Sequence, residues 1–382
     1  MKTAVVGAGA WGTALALLLC GNGHDTTLWC HRPEKAAQIL ASRVNPRLPD
    51  VSLPPELTVS ADTGCVRGCP LVVIASPSFP IRQVCGAVAP YLDSDAVMVS
   101  VTKGIESGTL LRMSEVVAQE TGRRVVALTG PCHAEEAARR IPTGCLAASE
   151  NRELAEFVQD AFMSDAFRVY TSPDAVGAEL GGALKNIIAL CAGVVDGLGF
   201  GDNTAAMLMT RGLTEIARLG VSLGAKKETF AGLAGVGDLI VTCTSRYSRN
   251  RRAGILIGQG MSPRQAMDAV GAVVEGYYAT RSARELCLRQ NVEMPIIQAA
   301  WQVLYENADP LETVKTLLLR RRKAESEDAG WLRTPFTPLF IPNGVYRAVA
   351  RVDSGEWTVM ESLRDNFKYR VRKYCDFRNN WR

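Results

Sequence analysis

A lysine interrupts a long apolar run. Residues 175–195 space Leu180, Leu184, Ile187, Ile188, Cys191 and Val194 as one helix would, with Lys185 and Asn186 among them. A buried ammonium is costly unless it has partners or a task. Desolvation lowers its pKa, and a nearby second cation lowers it further. Such a lysine can take a proton from an alcohol while a hydride leaves the same carbon. Lys103, at the mouth of a predicted strand, is the candidate second cation. The competing readings are a snorkelling surface side chain at Lys185 and an ordinary loop residue at Lys103.

Two further clusters lie downstream. Residues 232–239 read GLAGVGDL and precede Thr242 and Thr244. A glycine-dense loop lets backbone approach a small ligand, and Asp238 can orient an amine or hydroxyl. A tight turn with Asp238 as a helix cap competes with this. Next come Ser248, Arg249, Asn250, Arg251 and Arg252. Ser248 as an N-cap places Arg249 and Asn250 in a first helical turn. Exposed N–H groups, the positive end of the helix dipole and a guanidinium fork together suit a phosphate. The alternative is a basic surface patch. Nucleic acid is not expected, because residues 1–330 carry 33 basic against 34 acidic side chains.

These residues need a scaffold, and residues 3–17, TAVVGAGAWGTALAL, show its start. A β-branched run meets Gly7, Gly9 and Gly12 at G-x-G-x-x-G spacing, and a helical pattern follows. The glycines serve a tight turn, close approach to a pyrophosphate and helix–strand packing, with the helix start facing the diphosphate. A secretory signal fits poorly, since glycines break the apolar stretch. Further strands are predicted at 26–30, 71–75, 96–101, 125–128 and 144–148, mostly separated by helical segments. Alternation of this kind argues for a parallel-dominated sheet of an α/β, Rossmann-type domain over residues 1–173. The loops at 7–12, 31–34, 76–80 and 102–106 should share its carboxyl rim, with 130–136 close by. Residues 174–330 read as an all-α domain.

The second predicted strand ends in His31 and Arg32, without the acid that suits an NAD ribose. A guanidinium there suits a 2′-phosphate, which favours NADP(H) and leaves NAD(H) usable. No metal site is expected, since the three histidines are dispersed. Eleven scattered cysteines without a C-x-x-C pair imply reduced thiols and a cytoplasmic location. No membrane span is expected. Residues 331–382 differ in kind, with 10 basic against 5 acidic side chains and 10 of the chain's 25 aromatics. Three readings are open for this extension: packing on the chain's own core or on a second copy in a homodimer, partial disorder, and peripheral contact with anionic membrane lipid.

Seven motifs in order resemble the bacterial-type NAD(P)-dependent glycerol-3-phosphate dehydrogenases. They are GAGAWGTA from Gly7, TKGIE from Thr102, GPCHAEE from Gly130, LKN from Leu184, GVGDL from Gly235 with Thr242-Cys243-Thr244, SRNR from Ser248, and VVEG from Val273. The resemblance covers residues 1 to about 325. It implies interconversion of sn-glycerol 3-phosphate and dihydroxyacetone phosphate, which supplies phospholipid synthesis. It implies Lys185 as proton donor and acceptor, with Lys103 and Asp238 assisting. It implies substrate contacts at Lys103, Gly130, Cys132, Lys185, Asp238, Ser248, Arg249 and Asn250. It implies cofactor contacts at Gly7, Gly9, Trp11, Gly12, Thr13, Arg32, Lys103, Ala134, Arg249, Val273 and Glu275. Cys132 departs from the serine usual in the family, and the extension beyond residue 330 has no counterpart in it. Rival readings are a ketopantoate- or 6-phosphogluconate-type dehydrogenase, which the SRNR phosphate site disfavours, and a cofactor-binding regulator without turnover.

Overall fold

The structure, a computed structural model, describes residues 1–322, 324–325, 349–351 and 357–359. Met1–Arg320 form one compact unit. Its strands are β1 (Lys2–Val6), β2 (Asp25–Trp29), β3 (Val44–Asn45), β4 (Leu48–Ser52), β5 (Thr58–Ser60), β6 (Leu71–Ile74), β7 (Val97–Ser100), β8 (Arg124–Thr129), β9 (Thr143–Ala148) and β10 (Phe167–Ser172). Eight of them make one sheet in the order β10-β9-β8-β7-β6-β1-β2-β5. From β5 to β8 every pairing is parallel. That order is the doubly wound 3-2-1-4-5-6 arrangement, which reverses between β1 and β6. β9 then runs antiparallel to β8, and β10 runs parallel to β9. β5, β10 and the β3–β4 hairpin are additions to the predicted strands. The hairpin segment (VNPRLPDVS) and β5 are short and mostly polar, so periodicity does not mark them.

Helices cover the sheet: α1 (Ala10–Gly21), α2 (Pro33–Ser42), α3 (Ile81–Val88), α4 (Met113–Thr121), α5 (Ala134–Ala137) and α6 (Arg152–Phe162). The β6 sequence LVVI is buried at every position, as a strand covered on both faces must be. From α7 (Ala175–Gly197) the unit is helical: α8 (Asp202–Ser222), α9 (Asp238–Thr244), α10 (Arg249–Gly258), α11 (Pro263–Val270), α12 (Glu275–Gln290), α13 (Pro295–Tyr305) and α14 (Pro310–Leu318). The expected loop at 232–239 is instead a π-helical turn, Leu233–Gly237, running directly into α9.

α7 is the spine of the site. Asp174 caps its start, accepting from the Gly177 N–H at 2.8 Å. Glu179 ties it to α4, accepting from Arg112 Nη1 and Ser114 Oγ at 2.6 Å each and from Ser114 N–H at 2.8 Å. By length and composition α7 is the one described helix apolar enough to cross a membrane, yet it is buried inside the unit. α10 packs against it backbone to backbone. A Cβ on Gly193 would lie 2.0 Å from the Arg251 carbonyl oxygen, and one on Gly254 would lie 2.0 Å from that of Leu190. Gly254→Val should therefore force the helices apart and destabilise the fold by about 1–3 kcal/mol. Thermal denaturation reads this, and an unchanged midpoint would show that the seam yields freely.

In the separate unit from Arg321 to Arg382, β11 (Val349–Arg351) pairs antiparallel with β12 (Trp357–Val359). The remaining expectations for the extension fall outside the described residues.

Candidate active site

The glycine turn joins β1 to α1 at the sheet's reversal point. Gly7 has φ +129°, and a Cβ there would lie 2.6 Å from the Ala75 carbonyl oxygen. A Cβ on Gly12 would lie 1.9 Å from the Gly7 oxygen. These two glycines are therefore required by packing. Gly9 is different: a Cβ there meets nothing within 4 Å. No side chain caps α1, and its first turn has no acid. A free helix start beside open space fits a dinucleotide diphosphate. Thr13 is fully buried, donating to the Gly9 oxygen at 2.8 Å and accepting from Asn45 Nδ2 at 2.7 Å. Its hydroxyl thus braces the turn, leaving its backbone for any cofactor contact. Asn45 also donates to the Ala8 oxygen at 3.2 Å. Sequence reasoning missed Asn45, whose signal is a lone Asn before Pro46 in a turn-rich stretch.

The other expected cofactor residues are spread around this turn. Trp11 is half-buried, 6.5 Å from the Phe167 ring. Arg32 is exposed at the tip of β2, with no ion-pair partner among the described residues. Ala134 is buried at the start of α5 and packs near Ala14. Glu275 begins α12 and accepts from the Ser78 N–H at 3.2 Å and from Ser78 Oγ at 2.6 Å. Ser78 lies in the loop after β6, so this pair joins the helical layer to the sheet's reversal point. Burial raises the Glu275 pKa, against those bonds and the Arg249 charge. Val273 lines an open depression with Arg264, Met267 and Tyr277, apart from the lysines.

The lysines meet at Asp238. Lys185 is 5% exposed and Asp238 1%. Lys185 Nζ bonds Asp238 Oδ1 directly and Thr242 Oγ1 at 2.5 Å. Lys103 Nζ donates to Asp238 Oδ2 at 2.7 Å and to the Gly130 carbonyl at 3.1 Å. One carboxylate therefore bridges two ammonium groups across three elements: α7, α9 and the loop after β7. Burial pulls the Lys185 pKa down to about 8, with Asp238 opposing and Lys103 assisting. For Lys103, burial works downward, but the Asp238 charge and hydrogen bond win and move it up. Two chemically identical side chains are driven apart, one poised to exchange a proton and the other held charged.

The loop after β8 completes this wall. Gly130 has φ +149°, and a Cβ there would lie 3.1 Å from Cys145 Cα. Cys132 Sγ sits 3.1 Å from the Gly130 oxygen. On the other side, Ser248 caps α10, accepting from the Arg251 N–H at 3.2 Å. Arg249 follows, solvent-exposed yet flanked by protein that lowers its pKa, against the charges of Glu275 and Glu135. Asn250 is buried and turned inward. Its Nδ2 donates to Asn186 Oδ1 and its Oδ1 accepts from the Gly276 N–H, both at 2.9 Å. This places the Asn250 amide as a knot between α7, α10 and α12.

Proteins of known family match this chain over most of its length. Residues 2–155 match the family model described as NAD-dependent glycerol-3-phosphate dehydrogenase N-terminus, and residues 174–315 match its C-terminus counterpart. A relative from Moorella thermoacetica, glycerol-3-phosphate dehydrogenase [NAD(P)+], is 51% identical over 330 residues, covering 86% of this chain and 98% of its own. One of the same name from Desulfitobacterium hafniense is 48% identical over 357 residues, covering 93% of this chain and 99% of its own. A match that wide must enter the segment beyond residue 330, so the expectation that this segment has no counterpart is corrected for that relative. The crystal structure of glycerol-3-phosphate dehydrogenase from Coxiella burnetii is similar at TM-score 0.80 and 38% identity, covering 84% of this chain and 99% of that one.

Proposed function

The chain belongs to the family of NAD-dependent glycerol-3-phosphate dehydrogenases, and from that premise we propose that Lys185 moves the proton in the reaction. That reaction is the interconversion of sn-glycerol 3-phosphate and dihydroxyacetone phosphate with NAD(P)(H). The observation that carries the reading is the buried bridge of Lys185, Asp238 and Lys103. A nicotinamide dinucleotide held at the glycine turn, residues 7–12, and the start of α1 would supply the hydride chemistry at C2. Neutral Lys185 takes the C2 hydroxyl proton during oxidation, and its ammonium returns a proton to the C2 oxygen during reduction. Lys103, held charged, stabilises negative charge developing on that oxygen. Asp238 fixes both side chains, and Thr242 sets the direction of Lys185.

The phosphate belongs with Arg249 and the free N–H groups at the start of α10. Gly130, Cys132, Ser248 and Asn250 border it. Binding the phosphate away from C2 restricts the reacting carbon and supplies orientation. An absorbance assay at the nicotinamide band, with dihydroxyacetone phosphate and each reduced cofactor, tests the reading. Turnover of a ketopantoate-type or 6-phosphogluconate-type substrate in its place would overturn it.

The division we propose is a dinucleotide domain at 1–173, a catalytic domain at 174–330 and an extension at 331–382. We place the reaction in the cytoplasm, supplying phospholipid synthesis; dispersed free thiols support that location. A second copy of the chain and an anionic lipid surface are the partners suited to the extension's charge and aromatic content.

NADP(H) is the favoured cofactor, supported by exposed Arg32 at the tip of β2. Arg32→Asp should shift the ratio of kcat/KM values from NADPH towards NADH. It removes a cation suited to the 2′-phosphate and adds a carboxylate that repels it and accepts from ribose hydroxyls. An unmoved ratio would make Arg32 an ordinary loop residue.

A further inference from the structure

We propose that Cys132 and Cys145 are an oxidisable pair, closing to a disulfide beside Lys103 and switching the enzyme off reversibly. This rests on the reading that Cys132 borders the substrate. The β8–β9 ladder brings the two cysteines together. Its last pair, Thr129 with Leu146, sets Gly130 beside Cys145, and Cys132 follows two residues later. The backbones are close there, as the 3.1 Å approach of a Gly130 Cβ to Cys145 Cα shows. The two thiols interact closely enough that each is the leading influence on the other's acidity, lowering the Cys132 pKa and raising that of Cys145.

The pair is asymmetric. Cys145 is 0% exposed, while Cys132 is half-buried and reachable. Cys132 Sγ and Lys103 Nζ bond the same Gly130 carbonyl, each at 3.1 Å. A thiol beside an ammonium has its thiolate favoured, and the thiolate is the reactive form. The Cys132 pKa is moved down by the Cys145 hydrogen bond and then by Lys103, against burial. Burial raises the thiols of Cys65, Cys85, Cys191, Cys243 and Cys287. Cys132 is thus the nucleophile and Cys145 the resolving thiol.

With hydrogen peroxide as oxidant, the steps balance. The Cys132 thiolate attacks one peroxide oxygen. An S–O bond forms, the O–O bond breaks, and hydroxide leaves to become water on gaining a proton. The Cys145 thiol then attacks the Cys132 sulfur, losing its proton as it does so. An S–S bond forms, the S–O bond breaks, and the second oxygen leaves as water after protonation. Two thiols lose two electrons and two protons, and peroxide becomes two waters. Closure draws Cys132 off the Gly130 carbonyl towards β9 and shifts the segment on which Lys103 rests.

The test uses the reduced full-length chain. Its turnover of dihydroxyacetone phosphate is measured first, and failure there refutes the functional reading alone. Peroxide is then added, remaining thiols are blocked with maleimide, and unreduced peptides are mapped by mass. The expected result is a linked Cys132–Cys145 peptide that accumulates as activity falls and disappears as dithiothreitol restores it. Cys145→Ala, or Cys145→Ser if the alanine protein fails to fold, should form no link and leave a dimedone-reactive sulfenic acid at Cys132. Maleimide labelling of both residues after inactivation would overturn the proposal. So would a link at Cys65–Cys69 in their place, or full linkage with activity unchanged.

Discussion

Lys185→Met should cut turnover by about a hundredfold or more while leaving cofactor affinity near normal. Methionine matches the lysine stem in length and flexibility, so α7 keeps its packing. Asp238 keeps its bond to Lys103, so its carboxylate is not stranded. The change removes a group whose burial brings its pKa to about 8, near the working range of a proton carrier. The sign is fixed by the chemistry. Oxidation of the alcohol needs neutral Lys185, so the parent's kcat/KM in that direction should rise as pH climbs through about 8. Reduction of the ketone needs the ammonium, so its rate should fall over the same interval. Both inflections should vanish in the variant. Lys185→Arg is the companion: it keeps a cation beside Asp238 but cannot release its proton. It should be as slow as the methionine variant and more stable. Turnover in Lys185→Met within a factor of about three of the parent would give the proton to another group.

The fold around these residues was legible where one physical signal dominates. β6 and α1 announce themselves by continuous burial and by glycine spacing. Lys185 stood out because an ammonium in an apolar helical pattern requires a partner, and Asp238 stood out as the single acid in a glycine-dense stretch. Their meeting was not legible. It depends on α7, α9 and the loop after β7 converging from positions 53 and 135 residues apart along the chain. The same holds for Glu179, which reads as one polar residue on α7 and proves to bind α4. The partners of Asn250 were hidden for a related reason. Its neighbours in sequence place it in the first turn of α10, and its amide bonds reach Asn186 and Gly276 on two other helices. The glycines of α7 and α10 carried no local meaning either. Their role appears only when two backbones touch.

Arg249→Ala should raise KM for the phosphorylated substrate roughly tenfold or more, since a lost charge-assisted bond is worth about 1.5–3 kcal/mol. Arg249 is placed for this by Ser248, whose cap sets the first turn of α10, and by the seam that presses α10 onto α7. On the proposed reading, the phosphate site is carried by the helix that packs directly on the helix of Lys185, so a substrate anchored at one end would meet the proton carrier at the other without a flexible connection. An unphosphorylated glycerol analogue has nothing for Arg249 to hold, so its kcat/KM should hardly move. Glu275 lies close enough to Arg249 to influence its charge, so the affinity for the nicotinamide cofactor is measured in parallel. A similar loss for phosphorylated and unphosphorylated substrates, with cofactor affinity intact, would show that Arg249 does not read the phosphate. The anion site would then reduce to the backbone N–H groups at the start of α10.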